Sequence, residues 1–247
     1  MDIRVLMLGD AAFTIEFPYL QGVEGARRVR FLRSLVEEKI EDGSLVGIVD
    51  LISATRSLSV CLDPLKADFL KVQGTVVKLA KMPFNETSEN AQIWTLPACY
   101  EGEYAPDLTE VAERSGLSVD EVVKIHTTQV YDILLIGFLP GFPFMAEVPE
   151  ILRFPRRSNP RTRVPAGSVA IANNQTAIYP WESPGGWHLL ARCPVPLFNP
   201  AWEQPSLLSP GGKVSFEAVS EKDFNTLETD LAAGRLSPHS FLHEGKV

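Results

Sequence analysis

Cysteine is scarce in this chain, three in 247 residues. Cys61, Cys99 and Cys193 lie far apart with no C-x-x-C spacing, which excludes a disulfide framework and a cysteine-rich zinc site and reads as reduced, buried thiols. Long apolar runs are missing as well. Apolar residues make up 45% of the chain, yet no stretch approaches the roughly 20 residues that cross a bilayer. Asp2 and Arg4 break up the start as a signal peptide. The expectation is a soluble, cytoplasmic protein with no membrane partner. Positive charge is also short: 23 Lys and Arg stand against 31 Asp and Glu, a net charge of -8. Such a chain lacks the broad basic footprint that phosphate backbones demand, so no nucleic acid partner is expected. The familiar catalytic signatures are absent too. There is no G-x-S-x-G elbow, no GxGxxG after a strand and no Walker A loop, because PGGKV (210–214) has neither the loop nor the Ser/Thr. If ATP is handled, it is at an unfamiliar site or with a partner.

What is abundant is proline, 19 residues, of which 11 fall between Pro140 and Pro200. Proline fixes φ and removes an amide donor, so long helices are excluded there. Apolar and aromatic residues run through the same stretch, which predicts a folded, loop-rich β region rather than disorder.

The length suits one large domain or two small ones, and the two parts of the chain have different patterns. Ile3 to Leu8 and Phe13 to Phe17 read as strands around a Gly9-Asp10 turn. Ala26, Val29, Leu32, Leu35, Val36 and Ile40 recur at helical spacing before Gly43. Leu45 to Ile52 and Leu58 to Leu62 form a second strand pair, and Pro64 opens a helix along Leu65, Phe69, Val72, Val76 and Leu79. The order ββαββα predicts a small α+β sandwich with both helices on one face of an antiparallel sheet. Residues 85–90 (NETSEN) read as a linker. Beyond it come a strand from Ile93 to Tyr100 and two short helices with capping patterns at Asp107/Glu110 and Ser118/Glu121. Short β runs follow between Pro/Gly turns (Ile133 to Phe138, Ser168 to Ala172, Thr176 to Tyr179, Trp187 to Ala191, Lys213 to Val219), then a helix from Lys222 to Leu231. That spacing fits a compact barrel or sandwich.

Several features carry candidate chemistry. Arg153, Arg156, Arg157, Arg161 and Arg163 fall within eleven residues, and no acid occurs from Ile151 to Trp181. Guanidinium forks suit carboxylate or phosphate; the plainer alternatives are a solvated loop or pairing with acids elsewhere in the fold. GFLPGFPF (137–144) offers Phe138, Phe142 and Phe144 as a pocket wall or as ordinary core. In SPGGW (183–187), Gly185 and Gly186 permit close backbone approach beside Trp187, or merely a hairpin. His126 ends a helix, where the dipole favours its protonated form, as an acid, an anion ligand or a structural cap. His239 and His243 have helical ligand spacing but no third ligand. VAERSGLSVDEVVKIH (111–126) imitates a helix-turn-helix but is too acidic to approach DNA.

Together these segments resemble the 5-oxoprolinase B-subunit (PxpB) family, also called the KipI or allophanate hydrolase subunit 1 family. The matching elements are GDAAFTIEF (9–17), CYEGEYAPDL (99–108), the helix from Val119 to His126, GFLPGFPF, PRRSNPRTRVPAGSVAIA (155–172), QTAIYP (175–180), SPGGW and PLFNP (196–200). The resemblance implies an α+β protein: a ferredoxin-like N-terminal domain over 1–88, then a cyclophilin-like β-barrel with a C-terminal helix over 89–247. It implies the B subunit of an ATP-dependent 5-oxoprolinase, turning 5-oxoproline into glutamate. Two partners are implied with it, a homologous KipA-like protein and a separate LamB/YcsF-like protein. ATP, with Mg, would be bound together with the KipA-like partner. A KipI-like inhibitor of a sensor histidine kinase is the alternative.

Under that resemblance, His126, Glu103 and Asp107 are the candidates for proton transfer or metal coordination. Arg157, Arg161 and Arg163 would hold a substrate carboxylate or a transferred phosphate. Phe138, Phe142, Gln175, Tyr179 and Trp187 would line the cleft, closed by the KipA-like partner. Fixed cations of this kind stabilise charge that develops during phosphoryl transfer.

Overall fold

The computed structural model of the chain describes residues 2–84 and 92–243; the polar segment read as a linker lies outside them. Two compact units divide the chain, Met1–Ser88 and Glu89–Val247.

The first unit runs β1 (Arg4–Met7), β2 (Ala12–Glu16), α1 (Gly22–Glu41), β3 (Ile48–Ser53), β4 (Ser57–Leu62) and α2 (Phe69–Ala80). Its sheet has the order β1-β2-β4-β3, antiparallel throughout. This is the ferredoxin-like arrangement with an edge strand supplied from the start of the chain rather than the end. The period of two sends Phe13 and Ile15 of β2, and Leu58, Val60 and Leu62 of β4, against Val29, Leu32 and Val36 of α1 and Val72 and Val76 of α2. Each such side chain contributes about 1.5–3 kcal/mol on burial. The second helix starts at Phe69, not at Pro64. Asp63 captures the amides a longer helix would need: Leu65 donates to its carboxylate, and Lys66 and Ala67 donate to its carbonyl. Asp68 then caps the helix by accepting from the Lys71 amide, and Leu65 is left exposed.

The second unit contains β5 (Ile93–Cys99), α3 (Leu108–Ser115), α4 (Val119–Thr128), β6 (Tyr131–Ile136), β7 (Pro143–Ala146), β8 (Arg161–Val164), β9 (Ser168–Ala172), β10 (Gln175–Ile178), β11 (Ser183–Gly185), β12 (His188–Arg192), β13 (Lys213–Val219), α5 (Glu221–Ala232) and β14 (Leu242–His243). Its main sheet runs β12-β9-β10-β7-β6-β13-β5 and closes where Arg192 of β12 pairs with Cys99 of β5. The result is a barrel of seven strands, with β14 attached to β5 outside the ring. Only β13 and β5 pair in parallel within the ring. Trp94, Leu96, Tyr131, Ile133, Met145, Val169, Ile171, Ile178, Leu190, Val214 and Phe216 fill the interior, with Val111, Ala112 and Val122 of α3 and α4 packed onto the same core. The two-residue period therefore turns Thr176 and Ile178 inward, and Gln175 and Ala177 outward.

Two strands arise where proline and arginine read as loop. Pro143 is tolerated because it is the first residue of β7. β8 pairs with β11 in a separate two-stranded ribbon outside the barrel sheet. The S-x-x-E signal at Ser118 forms a full capping box with Glu121. Asp107 stands at the N-cap of α3 but makes no cap, since its carboxylate is engaged elsewhere.

Candidate functional site

On the outer face of β7, β9 and β10, three small residues (Ala170, Ala172 and Ala177) pack with Phe142, Phe144, Tyr179 and Trp187 in one apolar cluster. Phe142 meets Tyr179 edge-on at 5.0 Å between ring centroids, and Phe144 lies 6.1 Å from Trp187. Phe138 extends the wall edge-on to Phe142 at 5.4 Å and is 67% exposed. Gln175, half-buried, shares the outward register with Ala177. The aromatic loop is thus both wall and packing: Phe142 is buried, while Phe138 reaches solvent. Close backbone approach explains one glycine of SPGGW. A Cβ on Gly185 would overlap the Tyr179 hydroxyl. Burial pushes the Tyr179 phenol up to about 12, with Arg156 and Arg161 acting the other way, so it stays protonated as a hydrogen-bond donor.

Beside this wall the arginines converge on Asp107, which is 2% exposed. Its carboxylate accepts from Arg157 Nη1 at 2.9 Å, from Arg161 Nη1 and Nη2 at 2.9 and 2.6 Å, and from the Leu189 amide at 2.7 Å. Arg157 also donates to Glu110, 3.0 Å away, and Glu110 accepts from Arg114 at 3.1 Å. Arg157 and the nearby Arg114 hold the Glu110 carboxyl below its usual range. Arg163 forms a fork with Glu182 on the surface. Arg157, Arg161 and Arg163, expected to hold a ligand anion, each pair with a carboxylate of the protein itself. Both oxygens of Asp107, expected as a proton-transfer or metal-binding group, accept hydrogen bonds from within the protein.

Of the five arginines in the 153–163 run, Arg156 alone has no carboxylate partner among the described residues. Spacing marks it only as one of the cluster, because nothing local says which guanidinium is left over. It is exposed, with its guanidinium carbon 6.0 Å from the Trp187 ring centroid. It opens onto a cleft of about 280 Å³ lined also by Glu110, Arg114, Pro155, Arg157, Ser158, Asn159 and His188. His188 is buried, and burial pushes its pKa down. Its Nε2 lies 3.1 Å from the Pro155 carbonyl, so that nitrogen carries the proton. Nδ1 is then a lone pair, and it has no partner among the described residues.

His126, expected as an acid, an anion ligand or a structural cap, lies in the last turn of α4. It is fully buried, stacked on Phe216 at 4.9 Å. Thr176 gives its only hydroxyl proton to the Ala170 carbonyl, so it accepts from His126 Nε2 at 3.2 Å. Nδ1 is left to accept from the Tyr100 hydroxyl at 2.7 Å. Neutral imidazole satisfies every group in this chain of bonds, and burial pushes the pKa down to about 3. The protonated His126 suggested by the helix dipole is absent because desolvation outweighs a dipole contribution of at most about 2 kcal/mol. Glu103 is exposed in the short 3-10 turn Gly102–Tyr104, ahead of α3. Of the predicted site residues, Asp107, Arg157 and Arg161 meet in one network, and Phe138, Phe142, Tyr179 and Trp187 in another. His126 lies apart in the barrel interior.

The cysteines are free: Cys99 and Cys193 are buried and Cys61 is half-buried. Burial pushes the Cys193 thiol up to about 12, which leaves it unreactive. His239 packs between Trp94 and Trp202, at 6.1 and 6.0 Å. Among the described residues, no three His, Cys, Asp or Glu side chains gather as a metal site, and no helix is long and apolar enough to cross a membrane.

Residues 3–208 match the family model described as carboxyltransferase domain, subdomain C and D. The chain is 35% identical over 237 residues to the 5-oxoprolinase B subunit of Bacillus subtilis, covering 92% of this chain and 97% of that protein. Among solved structures, TTHA0988 aligns with a TM-score of 0.70 at 36% identity over 89% of this chain; the chain spans 40% of that longer protein. The urea amidolyase of K. lactis aligns with a TM-score of 0.74 at 19% identity over 95% of this chain and 16% of its own, a likeness of fold alone.

Proposed function

The chain belongs to the carboxyltransferase subdomain C and D family and, within it, to the 5-oxoprolinase B-subunit group, and from this premise we propose that it is the B subunit of an ATP-dependent 5-oxoprolinase. The carrying observation is end-to-end similarity to the Bacillus subtilis protein of that name, over 97% of its length. The reaction opens a lactam whose amide carbonyl is a poor electrophile; ATP supplies the driving force by activating that oxygen. This chain contributes binding and orientation: an aromatic wall, a protonated Tyr179 donor and a basic loop locked by Asp107. Groups held in place by the fold in this way orient a bound substrate without having to reorganise.

A homologous KipA-like protein and a LamB/YcsF-like protein would be the partners, with the KipA-like one closing the exposed side of the wall at Phe138. ATP and Mg would be held jointly with that partner. Among the described residues no three His, Cys, Asp or Glu side chains gather to hold a metal. Nothing observed favours the kinase-inhibitor alternative. The test is ADP release by this chain mixed with both partners. Release that depends on 5-oxoproline, and stops when this chain is left out, is the expected result; ADP release indifferent to either removes the assignment.

A further inference from the structure

The cleft between α3 and the 155–159 segment carries more positive charge than its own carboxylates neutralise. Arg114, Arg157 and Arg161 share two acids, Glu110 and Asp107. Arg156 has none among the described residues. In the lining itself three guanidinium groups, Arg114, Arg156 and Arg157, stand against the one carboxylate of Glu110, and the surplus sits in a protein whose net charge is -8. The surplus is also presented in a fixed place. Asp107 anchors the loop on either side of Pro160 through Arg157 and Arg161, and the Arg157 amide donates to the Gly186 carbonyl at 2.7 Å. Trp187 lies near the Arg156 guanidinium, and a cation held against an aromatic face loses little freedom when it binds an anion. Ser158 and Asn159, exposed in the same cleft, bring neutral polar groups beside the charge.

Size narrows the ligand. A cleft of about 280 Å³ falls at or below the lower end of the range for drug-sized ligands, roughly 300–1,000 Å³. A nucleoside triphosphate overfills it; a small ring acid does not. His188 lies in the wall, its Nδ1 buried and without a partner among the described residues.

We infer that this cleft is the carboxylate subsite for the small acid, with Arg156 as its principal ligand and Ser158 and Asn159 as flanking groups. The inference rests on the 5-oxoprolinase reading and adds to it that this chain, rather than a partner, holds the acid's negative charge. Purified chain is titrated with 5-oxoproline, with 5-oxoproline carboxamide and with inorganic phosphate, following heat or tryptophan fluorescence. The acid binds saturably, the carboxamide binds about tenfold more weakly or worse, and equimolar phosphate does not displace the acid. Arg156→Gln weakens acid binding about tenfold or more, and Arg156→Lys, which keeps the charge but not the fork, recovers part of it. In the assembled complex Arg156→Gln raises KM with kcat held within about twofold, the signature of lost ground-state binding. Equal binding of acid and carboxamide, displacement by phosphate, no saturable binding of the acid, or unchanged affinity in Arg156→Gln each overturns the inference. The two readings fail separately. A wild-type complex that does not turn over sinks the enzyme assignment, whereas normal turnover with an unaltered KM in Arg156→Gln sinks only the subsite.

Discussion

At the scale of single residues, the two well-buried histidines show how environment overrides residue type. His126 looks like a cation from its place at a helix end. Its surroundings are two tyrosine hydroxyls, a threonine and a phenylalanine ring, with no carboxylate to stabilise a charge. Its pKa is near 3 in the folded protein and about 6.5 in an unfolded chain. Below about pH 6.5 the unfolded state therefore binds a proton that the folded state refuses, so stability falls as pH drops from about 6.5 towards 3, by up to about 1.4 kcal/mol per pH unit. Burial moves His188 in the same direction. Between about pH 6.5 and 5 these histidines dominate the slope, because exposed carboxylates lose their contributions only at lower pH. Urea midpoints measured across that window should decline on acidification, and His126→Gln should flatten the decline; an unchanged slope in the variant would count against a neutral His126 in the core. The charge state of His126 was not legible in the sequence, since nothing local announces Thr176, fifty residues away, as its partner.

At the scale of elements, the sequence shows its limits most clearly in the 137–164 stretch. Alternation and turn residues locate β9 and β13 well, and the capping box at Ser118 is a purely local signal that the structure reproduces. β7 and β8 are hidden by Pro143 and by a run of arginines whose pairing depends on distant parts of the chain. The arginine run did announce a charged structure; it did not say that Asp107 would neutralise two of its members. Asp107 joins the start of α3, the 157–161 segment and β12 through one carboxylate, and the Asp107 amide returns a bond to the Leu189 carbonyl. Breaking a buried ion pair by removing one partner costs about 3–5 kcal/mol. Asp107→Asn keeps the shape, loses the charge and points an amide at two guanidinium groups. It should lower the unfolding free energy, read from urea unfolding curves, by an amount in that range and weaken acid binding at Arg156 through the loosened loop. A variant as stable as the parent, with intact binding, would show that the network is not what holds the loop.

At the scale of the whole molecule, the scarcity of positive charge proves to be an average over unlike parts. The chain is acidic overall, while the barrel unit concentrates guanidinium groups beside an aromatic wall, and its prolines flank both. Seven strands closed on themselves leave no barrel edge to aggregate, and the alanines of their outer face back the aromatic residues of the wall. Under the proposed function, the face that this chain presents would be completed by partner subunits. The direct test is glutamate formation from 5-oxoproline and ATP, followed while this chain is titrated into fixed amounts of the KipA-like and LamB/YcsF-like partners. The expected rate rises with added chain, saturates at a stoichiometric ratio and is absent without it. A rate that is already maximal without this chain, or that stays at zero at every ratio, would overturn the assignment.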